Sequence, residues 1–265
     1  KLCEWFGVAR STAYYDPRQR RERPIDEAMA ARIRRTHREE PACGVRGTWS
    51  RLRFVEGVEV NRKKVHRIMK LKGWTLPKRR AGRRPRAKGA TSIAEHPDQR
   101  WATDLAMIHC GRDGWCVFVP VIDCCTREVL GHALELTGKA RTAERALEEA
   151  LLAGFGTLAS APKGMKLRHD NGLVFGSRRY RAVVTDYGLT QEYITPYTPQ
   201  QNGLCERFIK TFKEEFAWVR NYRSIDHARL ALRAWLHHYN NRRPHQALGF
   251  KSPTQYHQTQ CKTAA

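Results

Sequence analysis

Residues 101–136 read WATDLAMIHCGRDGWCVFVPVIDCCTREVLGHALEL. Positions 101–108 are interpreted as an alternating strand in which Thr103 and Asp104 are the polar residues, 115–123 form a nearly continuous apolar run, and 128–136 follow a tight turn. Such alternation and such short apolar runs between turns are typical of β-strands. The stretch therefore predicts three consecutive strands. Asp104 lies in the middle of the first, where the alternation would otherwise place a packed side chain.

The part of the chain that follows alternates helices and strands. A helix is predicted over 141–155, because one side of it carries Ala143, Ala146, Leu147, Ala150 and Leu151. A short strand then leads into Asp170, followed by a helix at 177–187, a strand at 189–194 and long helices at 203–218 and 224–240. This order predicts an α/β fold, a ribonuclease H-like core with a mixed five-stranded sheet and flanking helices.

Residues 26–76 read as a small all-helical domain. Met29, Ile33 and Thr36 recur at helical spacing, a second helix is predicted at 47–54, and Asn61 is placed to cap a third at 62–72. The third helix has an apolar side with Val65, Ile68, Met69 and Leu71, and a basic side with Lys63, Lys64, Arg67 and Lys70. The pattern favours a helix-turn-helix-like domain that contacts DNA through the basic side, with an ordinary solvated surface as the alternative.

The charge of the chain is strongly positive and unevenly placed. It has 49 Lys and Arg against 26 Asp and Glu, a net charge of +23. Residues 1–100 alone hold 27 basic and 11 acidic side chains. An excess of this size indicates a polyanionic partner, and no apolar run approaches the length that spans a bilayer. DNA is the predicted partner, and no membrane association is expected.

A basic segment separates the helical domain from the α/β domain. Seven of the twelve residues from Pro77 to Lys88 are Lys or Arg. Self-repulsion and the lack of apolar groups leave nothing to offset the loss of chain entropy, so this segment cannot fold alone. The predicted organisation is an amino-terminal tail (1–25), a helical DNA-binding domain (26–76), a basic linker that lies along phosphates (77–98) and a catalytic domain (99–260).

The cysteines give no sign of a metal or disulfide framework. None of the eight forms a CxxC pair or pairs with His at zinc-finger spacing. They are interpreted as reduced thiols of a cytoplasmic, nucleoid-associated protein. A zinc site at His237, His238 and His245 is disfavoured, because polar residues are common at the end of a helix.

Three carboxylates have the sequence context of metal ligands. Asp104 lies in the first strand, Asp170 ends a strand and opens the segment His-Asp-Asn-Gly, and Glu206 follows a turn-rich approach to a helix. Open α/β sheets build their sites at the carboxyl ends of strands, so the three can converge at one edge. Hard oxygen ligands of this kind suit phosphoryl transfer through two divalent cations about 3.5–4 Å apart.

The helix that carries Glu206 has two distinct sides. Lys210 and Lys213 lie within about 60° of Glu206 on a 3.6-residue wheel. The opposite side is apolar and carries Leu204, Phe208, Phe212 and Phe216. The charged side is therefore predicted to hold a metal-bound carboxylate beside cations for the DNA backbone, and a surface ion pair is the plainer alternative.

Five motifs in order resemble the integrase core of bacterial transposases of the insertion sequence three family, relatives of retroviral integrases. They are residues 101–104, 123–127, 169–172, 199–207 and 239–245. The resemblance implies that Asp104, Asp170 and Glu206 are catalytic and bind two Mg²⁺ (or Mn²⁺) ions. It also implies that Lys213 contacts DNA, and Asn202 and Lys210 are counted with the predicted DNA contacts.

The resemblance further implies strand cleavage and strand transfer at the ends of an insertion sequence. The expected partners are the terminal inverted repeats and target DNA, with a homo-oligomer assembled on the DNA and no small-molecule cofactor. Two alternatives are a nuclease or resolvase of the same fold without strand transfer, and an inactive DNA-binding repressor derived from a transposase. Asp123 is interpreted as a turn residue, His169 as a neighbour of Asp170 or a surface group, and Cys205 as a small residue packed near the site.

Overall fold

The computed structural model describes residues 2–15, 24–77, 94–158, 161–195 and 198–264. Most of the predicted linker, 78–93, and positions 16–23 of the predicted tail lie outside the described residues. The helices are α1 (Leu2–Trp5), α2 (Arg10–Ala13), α3 (Glu27–Glu39), α4 (Val45–Ser50), α5 (Arg62–Leu71), α6 (Ala140–Phe155), α7 (Leu173–Gly176), α8 (Arg178–Asp186), α9 (Gly203–Phe212), α10 (Ile225–Asn241) and α11 (Pro253–Ala264). The strands are β1 (Arg100–Thr103), β2 (Ala106–His109), β3 (Trp115–Asp123), β4 (Val129–Glu135), β5 (Lys166–His169) and β6 (Thr190–Tyr193).

The strands form one mixed sheet. β3 pairs antiparallel with β1 and β2 on one side and with β4 on the other, and β1, β5 and β6 run parallel to one another. Asp104 and Asp170 directly follow β1 and β5, two parallel neighbours, so both emerge at the same edge. The predicted α/β class with a mixed sheet and flanking helices is confirmed.

The first predicted strand is divided in two. The expectation of one strand over 101–108 with Asp104 in its middle, and so of five strands, is wrong, because β1 ends at Thr103 and β2 begins at Ala106. Both halves keep one register on β3, since Thr103 faces Val121 and Ala106 faces Phe118. The residue opposite Asp104 is then Pro120, and a proline has no N–H to donate to the neighbouring strand.

The sheet is buried on both faces. Alternate residues of β3 enter different cores: Phe118 and Ile122 pack with α9 and α10, while Val119 and Val121 pack with α6 and α8. This explains the unbroken apolar run in β3, because both sides of the strand need apolar side chains. The predicted apolar side of α6 is buried as expected.

The helical unit has its own small core, formed by α3, α4 and α5. Asp26 caps α3 by accepting the Met29 N–H (2.9 Å), and Asn61 caps α5 by accepting the Lys63 N–H (2.8 Å), as predicted for Asn61. Val65, Ile68 and Met69 are buried. Leu71 is 55% exposed, so the buried side of α5 ends at Met69, two residues before the predicted end.

Two helices continue as π-helical turns. α4 passes into such a turn over Arg51–Val55, and α9 passes into another over Lys213–Ala217. The predicted helices at 47–54 and 203–218 are therefore present but change their winding in the second half. Within the described ranges, no helix is both long and apolar enough to cross a membrane.

Candidate active site

Asp104 lies where the chain leaves the sheet, between β1 and β2. Its carboxylate accepts the N–H of Leu105 (2.7 Å), which fixes the turn of the backbone at this point. The pKa of Asp104 is raised to about 6, chiefly by burial and additionally by the negative charges of Asp170 and Glu206. The hydrogen bond from Leu105 and the positive charge of Lys213 act in the opposite direction. All three predicted carboxylates and Lys213 therefore act on one place in the structure.

Asp170 is held by the turn that follows it. Its Oδ1 accepts the N–H of Gly172 (2.9 Å), and Asn171 donates its side-chain amide to the Ile194 carbonyl (3.1 Å). A Cβ at position 172 would lie 2.8 Å from Asp170 Oδ1, closer than real Cβ contacts. The glycine of the His-Asp-Asn-Gly segment is therefore required to let this carboxylate fold back on the backbone.

Glu206 lies in the first turn of α9 and is exposed. Behind it, Cys205 is fully buried, as predicted for a small residue packed near the site. Burial, together with the charges of Asp104, Glu206 and Asp170, raises the pKa of the Cys205 thiol well above its ordinary value. The thiol therefore stays protonated and serves as packing, while the acids stand on the outer side.

The donor set is suited to a hard divalent cation. Three carboxylates whose charges act on one another favour a bound cation, because it would offset the repulsion from Asp170 and Glu206 that adds to the effect of burial on the pKa of Asp104. Within the part of the chain that the structure describes, no three His, Cys, Asp or Glu side chains already lie at spacing that could hold a metal ion. Binding would have to draw the acids closer together.

Two buried side chains connect the strands to the segment before α9. Arg168 of β5 donates from Nη1 to the Gln201 carbonyl (2.7 Å), and Asn202 donates from Nδ2 to the Thr103 carbonyl (3.3 Å). Asn202 is only 2% exposed, so the prediction that it contacts DNA does not fit its position. Sequence reasoning missed Arg168, because a basic residue in a short strand gives no sign of burial.

Comparisons with known proteins match both units. Residues 94–199 and 187–253 each match the family described as "Integrase core domain", and residues 24–82 match "HTH-like domain". "Transposase InsD for insertion element IS2A/D/F/H/I/K" from Escherichia coli is 29% identical over 245 residues, which cover 89% of this chain and 81% of that protein. The chain belongs to the integrase-core transposases.

A solved structure agrees with this assignment at the level of the fold. The transposase aligns with a chain of the simian T-cell lymphotropic virus intasome in complex with PP2A regulatory subunit B56 gamma, with a TM-score of 0.52 and 16% identity. The alignment covers 85% of the transposase and 74% of that chain. The expected relation to retroviral integrases is thereby confirmed for the fold.

His169 is an internal packing residue of the transposase. It is fully buried, its ring stacks on Phe175 (4.9 Å between centroids), and Nδ1 donates to the Asp170 carbonyl (2.7 Å). Burial lowers its pKa, which favours the neutral ring. The alternative of a surface group is wrong, and His169 supports the backbone of Asp170.

Asp123 is a turn residue, as predicted. Its Oδ1 accepts from the N–H groups of Cys125 (2.8 Å) and Thr126 (2.6 Å), and its Oδ2 accepts the N–H of Asp98 (2.9 Å). The N–H groups of Cys125 and Thr126 close the turn after β3, and the N–H of Asp98 connects this turn to the segment before β1, so the Asp123 carboxylate has a structural task.

The three histidines near the end of α10 do not converge on a metal. His238 lies against Glu40 (3.1 Å), and His245 is buried edge-on to Tyr239 (4.9 Å between centroids). The described residues hold no His, Cys and acid cluster that would make a zinc site.

The predicted DNA-contacting cations differ in their surroundings. Lys63, Lys64, Lys70 and Lys210 are exposed, while Arg67 and Lys213 are half-buried. Lys64 pairs with Asp26 (2.6 Å), Arg67 donates to the Pro24 carbonyl (3.1 Å), and Lys210 lies 3.9 Å from Glu214. Of these cations, Lys63, Lys64 and Lys70 on α5 and Lys210 on α9 are therefore accessible to solvent.

Proposed function

We propose that this transposase cleaves DNA at the ends of an insertion sequence and joins those ends to target DNA, with Asp104, Asp170 and Glu206 as the catalytic acids. The observation that carries the proposal is that Asp104 and Asp170 directly follow two paired parallel strands, and that the negative charges of Asp170 and Glu206 both act on Asp104. Acids that repel one another at a sheet edge cost stability, and such arrangements are typical of functional sites.

The acids would hold two Mg²⁺ or Mn²⁺ ions. When bound, such ions supply charge stabilisation to the reacting phosphate and activate an oxygen nucleophile. The chain's own residues do the positioning: Gly172 N–H orients Asp170, Leu105 N–H orients Asp104, and the first turn of α9 presents Glu206. Lys213 adds a positive charge beside Asp104, where a DNA phosphate would be attracted.

Recognition of the element's terminal inverted repeats is assigned to the helical unit, and target DNA to the integrase core. Lys63, Lys64 and Lys70 lie exposed on α5, opposite its buried side. A basic helix with one apolar side packed on its own domain is the geometry of helix-turn-helix recognition. We propose that the protein acts as a homo-oligomer on the DNA, because two ends must be held together for joining.

The test replaces one acid at a time. Asp104→Asn, Asp170→Asn and Glu206→Gln each keep side-chain size and remove one ligand charge, so cleavage and joining of labelled element ends in Mg²⁺ should fall below detection. Binding to the same ends in EDTA should persist. Asp186→Asn serves as a control, because Asp186 is an exposed acid at the end of α8. Near-normal strand transfer by any of the three variants would remove that residue from the proposed set.

The same assay separates the alternatives. A nuclease or resolvase would cleave the ends in Mg²⁺ and yield no joined product. A repressor derived from a transposase would bind the ends and do neither. Joined product that depends on all three acids is the outcome expected here.

A further inference from the structure

The two residues before α9 are bonded to the two strands that carry the aspartates. Gln201 accepts from Arg168, two positions before Asp170, and Asn202 donates to Thr103, the residue immediately before Asp104. Glu206 follows Asn202 by one turn of α9. The start of this helix is therefore tied to both neighbouring strand ends, each next to one acid.

Asn202 makes its bond to the strand in place of a helix cap. It occupies the N-cap position of α9, where Asn ordinarily accepts a backbone N–H of the first turn, yet it makes no such bond. Asn61 of the same chain does cap its helix, as do Ser177 and Ser224. The amide of Asn202 is thus committed to Thr103.

The contact between Asn202 and Thr103 is buried, since the two residues are 2% and 0% exposed. Asn202 Oδ1 and Thr103 Oγ1 are both buried without a hydrogen-bond partner. An unpartnered buried polar group costs about 1–3 kcal/mol. The buried amide of Asn202 therefore stabilises the fold only weakly. Because it joins the end of β1 to the start of α9, we interpret it as fixing the position of these two elements relative to each other.

Arg168 supplies a rigid second anchor. Its Nε donates to Glu192 of β6 (2.8 Å), and Glu192 also accepts from Arg100 of β1 (2.7 Å). Arg168 is 3% exposed, and its guanidinium links β5 to β6 and to the segment before α9. Because its fork is planar and pre-organised, it fixes the Gln201 carbonyl with little freedom.

We propose that Asn202 is a positioning residue that sets the place of Glu206 relative to Asp104, with Arg168 as the second anchor of the same segment. The proposal rests on the proposed function, since it assigns to Asn202 the spacing of two proposed metal ligands. Groups that orient metal ligands typically change metal affinity or activity by about 10–100-fold when removed.

The test compares Asn202→Ala with Asn240→Ala. Asn240 of α10 makes the same kind of link between a helix and a strand, donating to the Val129 carbonyl (2.8 Å) and accepting the Val129 N–H (3.0 Å), but Val129 is not next to any of the three proposed acids. Three quantities are measured on each variant of the full chain: Mn²⁺ affinity by electron paramagnetic resonance, affinity for element ends in EDTA, and the urea unfolding midpoint.

Asn202→Ala should weaken Mn²⁺ binding about tenfold and slow end cleavage to a similar degree, with DNA affinity unchanged. Asn240→Ala should lower the unfolding midpoint and leave Mn²⁺ affinity as in the parent. Asn202→Ser is included because Ser caps helices well, which protects folding, but its side chain is too short to keep the Thr103 bond. It should behave like Asn202→Ala.

Unchanged Mn²⁺ affinity in both Asn202 variants would overturn the inference. Weaker DNA binding with normal Mn²⁺ affinity would also overturn it, and would make Asn202 a DNA contact after all. Glu206→Gln is measured in the same series. If the parent bound no Mn²⁺, or bound it as well after Glu206→Gln, the proposed metal site itself would fail, which is a distinct result.

Discussion

Pro120 of β3 lies opposite Asp104 in the register that β1 and β2 share. Cys124 donates its N–H to the Arg100 carbonyl (3.0 Å), and in an antiparallel pair such donors recur every second residue. Counting back along β3 from Cys124, position 120 is the second such donor position that faces β1. A proline there has no N–H to donate. The gap in the sheet that sets Asp104 apart follows from a residue on the neighbouring strand.

Replacing Pro120 by Val should close this gap. The new N–H can donate to the Asp104 carbonyl, which contributes about 0.5–1.5 kcal/mol, while the greater freedom of the unfolded chain offsets about 0.4–1 kcal/mol of it. Stability should therefore change little. A shift of Asp104 by about 1 Å can lower catalysis about 100-fold, so strand transfer should fall strongly.

Hydrogen exchange and a cleavage assay check this variant together. Protection of the residue 120 amide, with reduced strand transfer, is the expected pair of results. A protected amide with full activity would show that the break in the sheet is not needed for the chemistry. Pro162, exposed in the loop before β5, provides the control substitution Pro162→Val.

Much of the architecture could be predicted because it depends on neighbouring residues. The apolar run of β3 is typical of a strand buried on both faces, and the apolar side of α6 follows from the period of a helix. The contacts of Arg168 could not be predicted, because its partners Glu192 and Gln201 lie 24 and 33 positions away. The burial of Asn202 was missed for the same reason, since its partner Thr103 lies 99 positions away.

His245 should make the protein sensitive to acid. Burial, aided by the positive charges of Arg243 and Arg127, lowers the pKa of His245 from 6.5 to about 2. The folded protein therefore keeps this ring neutral, while the unfolded chain takes up a proton below about pH 6.5. Its contribution to stability is complete above pH 6.5 and is lost progressively as the pH falls toward 2.

Urea unfolding at pH 7.5 and pH 5.5 measures this effect. Protonation of the unfolded chain at one unit below its pKa costs about 1.4 kcal/mol in the free energy of unfolding. His245→Gln cannot titrate, so the difference between the two pH values should shrink by about that amount in the variant. An equal pH dependence in both proteins would show that other groups govern the acid response.

The integrase core should fold without residues 1–88. Neither of its two buried clusters includes a residue of the helical unit. The units nevertheless touch, because Phe250 stacks on Phe54 (4.9 Å between centroids) and meets Trp49 edge-on (5.3 Å). Truncation should thus abolish recognition of the element's ends, leave cooperative unfolding intact and expose Phe250 to solvent.

A second substitution makes the truncation informative. Phe250 has a positive φ of 65°, a conformation that Asn tolerates, so Phe250→Asn should keep the backbone and reduce aggregation of the truncated core. Light scattering and urea unfolding of the truncated protein with and without this change are the measurements. Unchanged affinity for terminal repeats after truncation would instead place sequence recognition in the integrase core.

Lys213 and Phe212 are adjacent in sequence and face opposite surroundings. Phe212 is fully buried and stacks on Phe118 of β3 (4.3 Å between centroids), while half-buried Lys213 acts on the Asp104 carboxylate. Phe212→Ala should lower the free energy of unfolding by about 3–5 kcal/mol and leave the salt dependence of DNA binding unchanged in the protein that remains folded. Lys213→Ala should leave the free energy of unfolding nearly unchanged and alter the salt dependence of DNA binding.

Lys213→Ala should weaken binding of the element end and reduce the log-log slope of affinity against salt by about one, because one phosphate contact is lost. End binding is measured across a salt series, and unfolding by urea, for both variants. Lys163→Ala is the matched control, since Lys163 is exposed in the loop that leads into β5, at the opposite end of that strand from Asp170. If Lys213→Ala unfolded the domain while Phe212→Ala spared it, the π-helical turn after α9 would have a different phase from the one described, and the placement of Glu206 beside Asp104 would have to be abandoned.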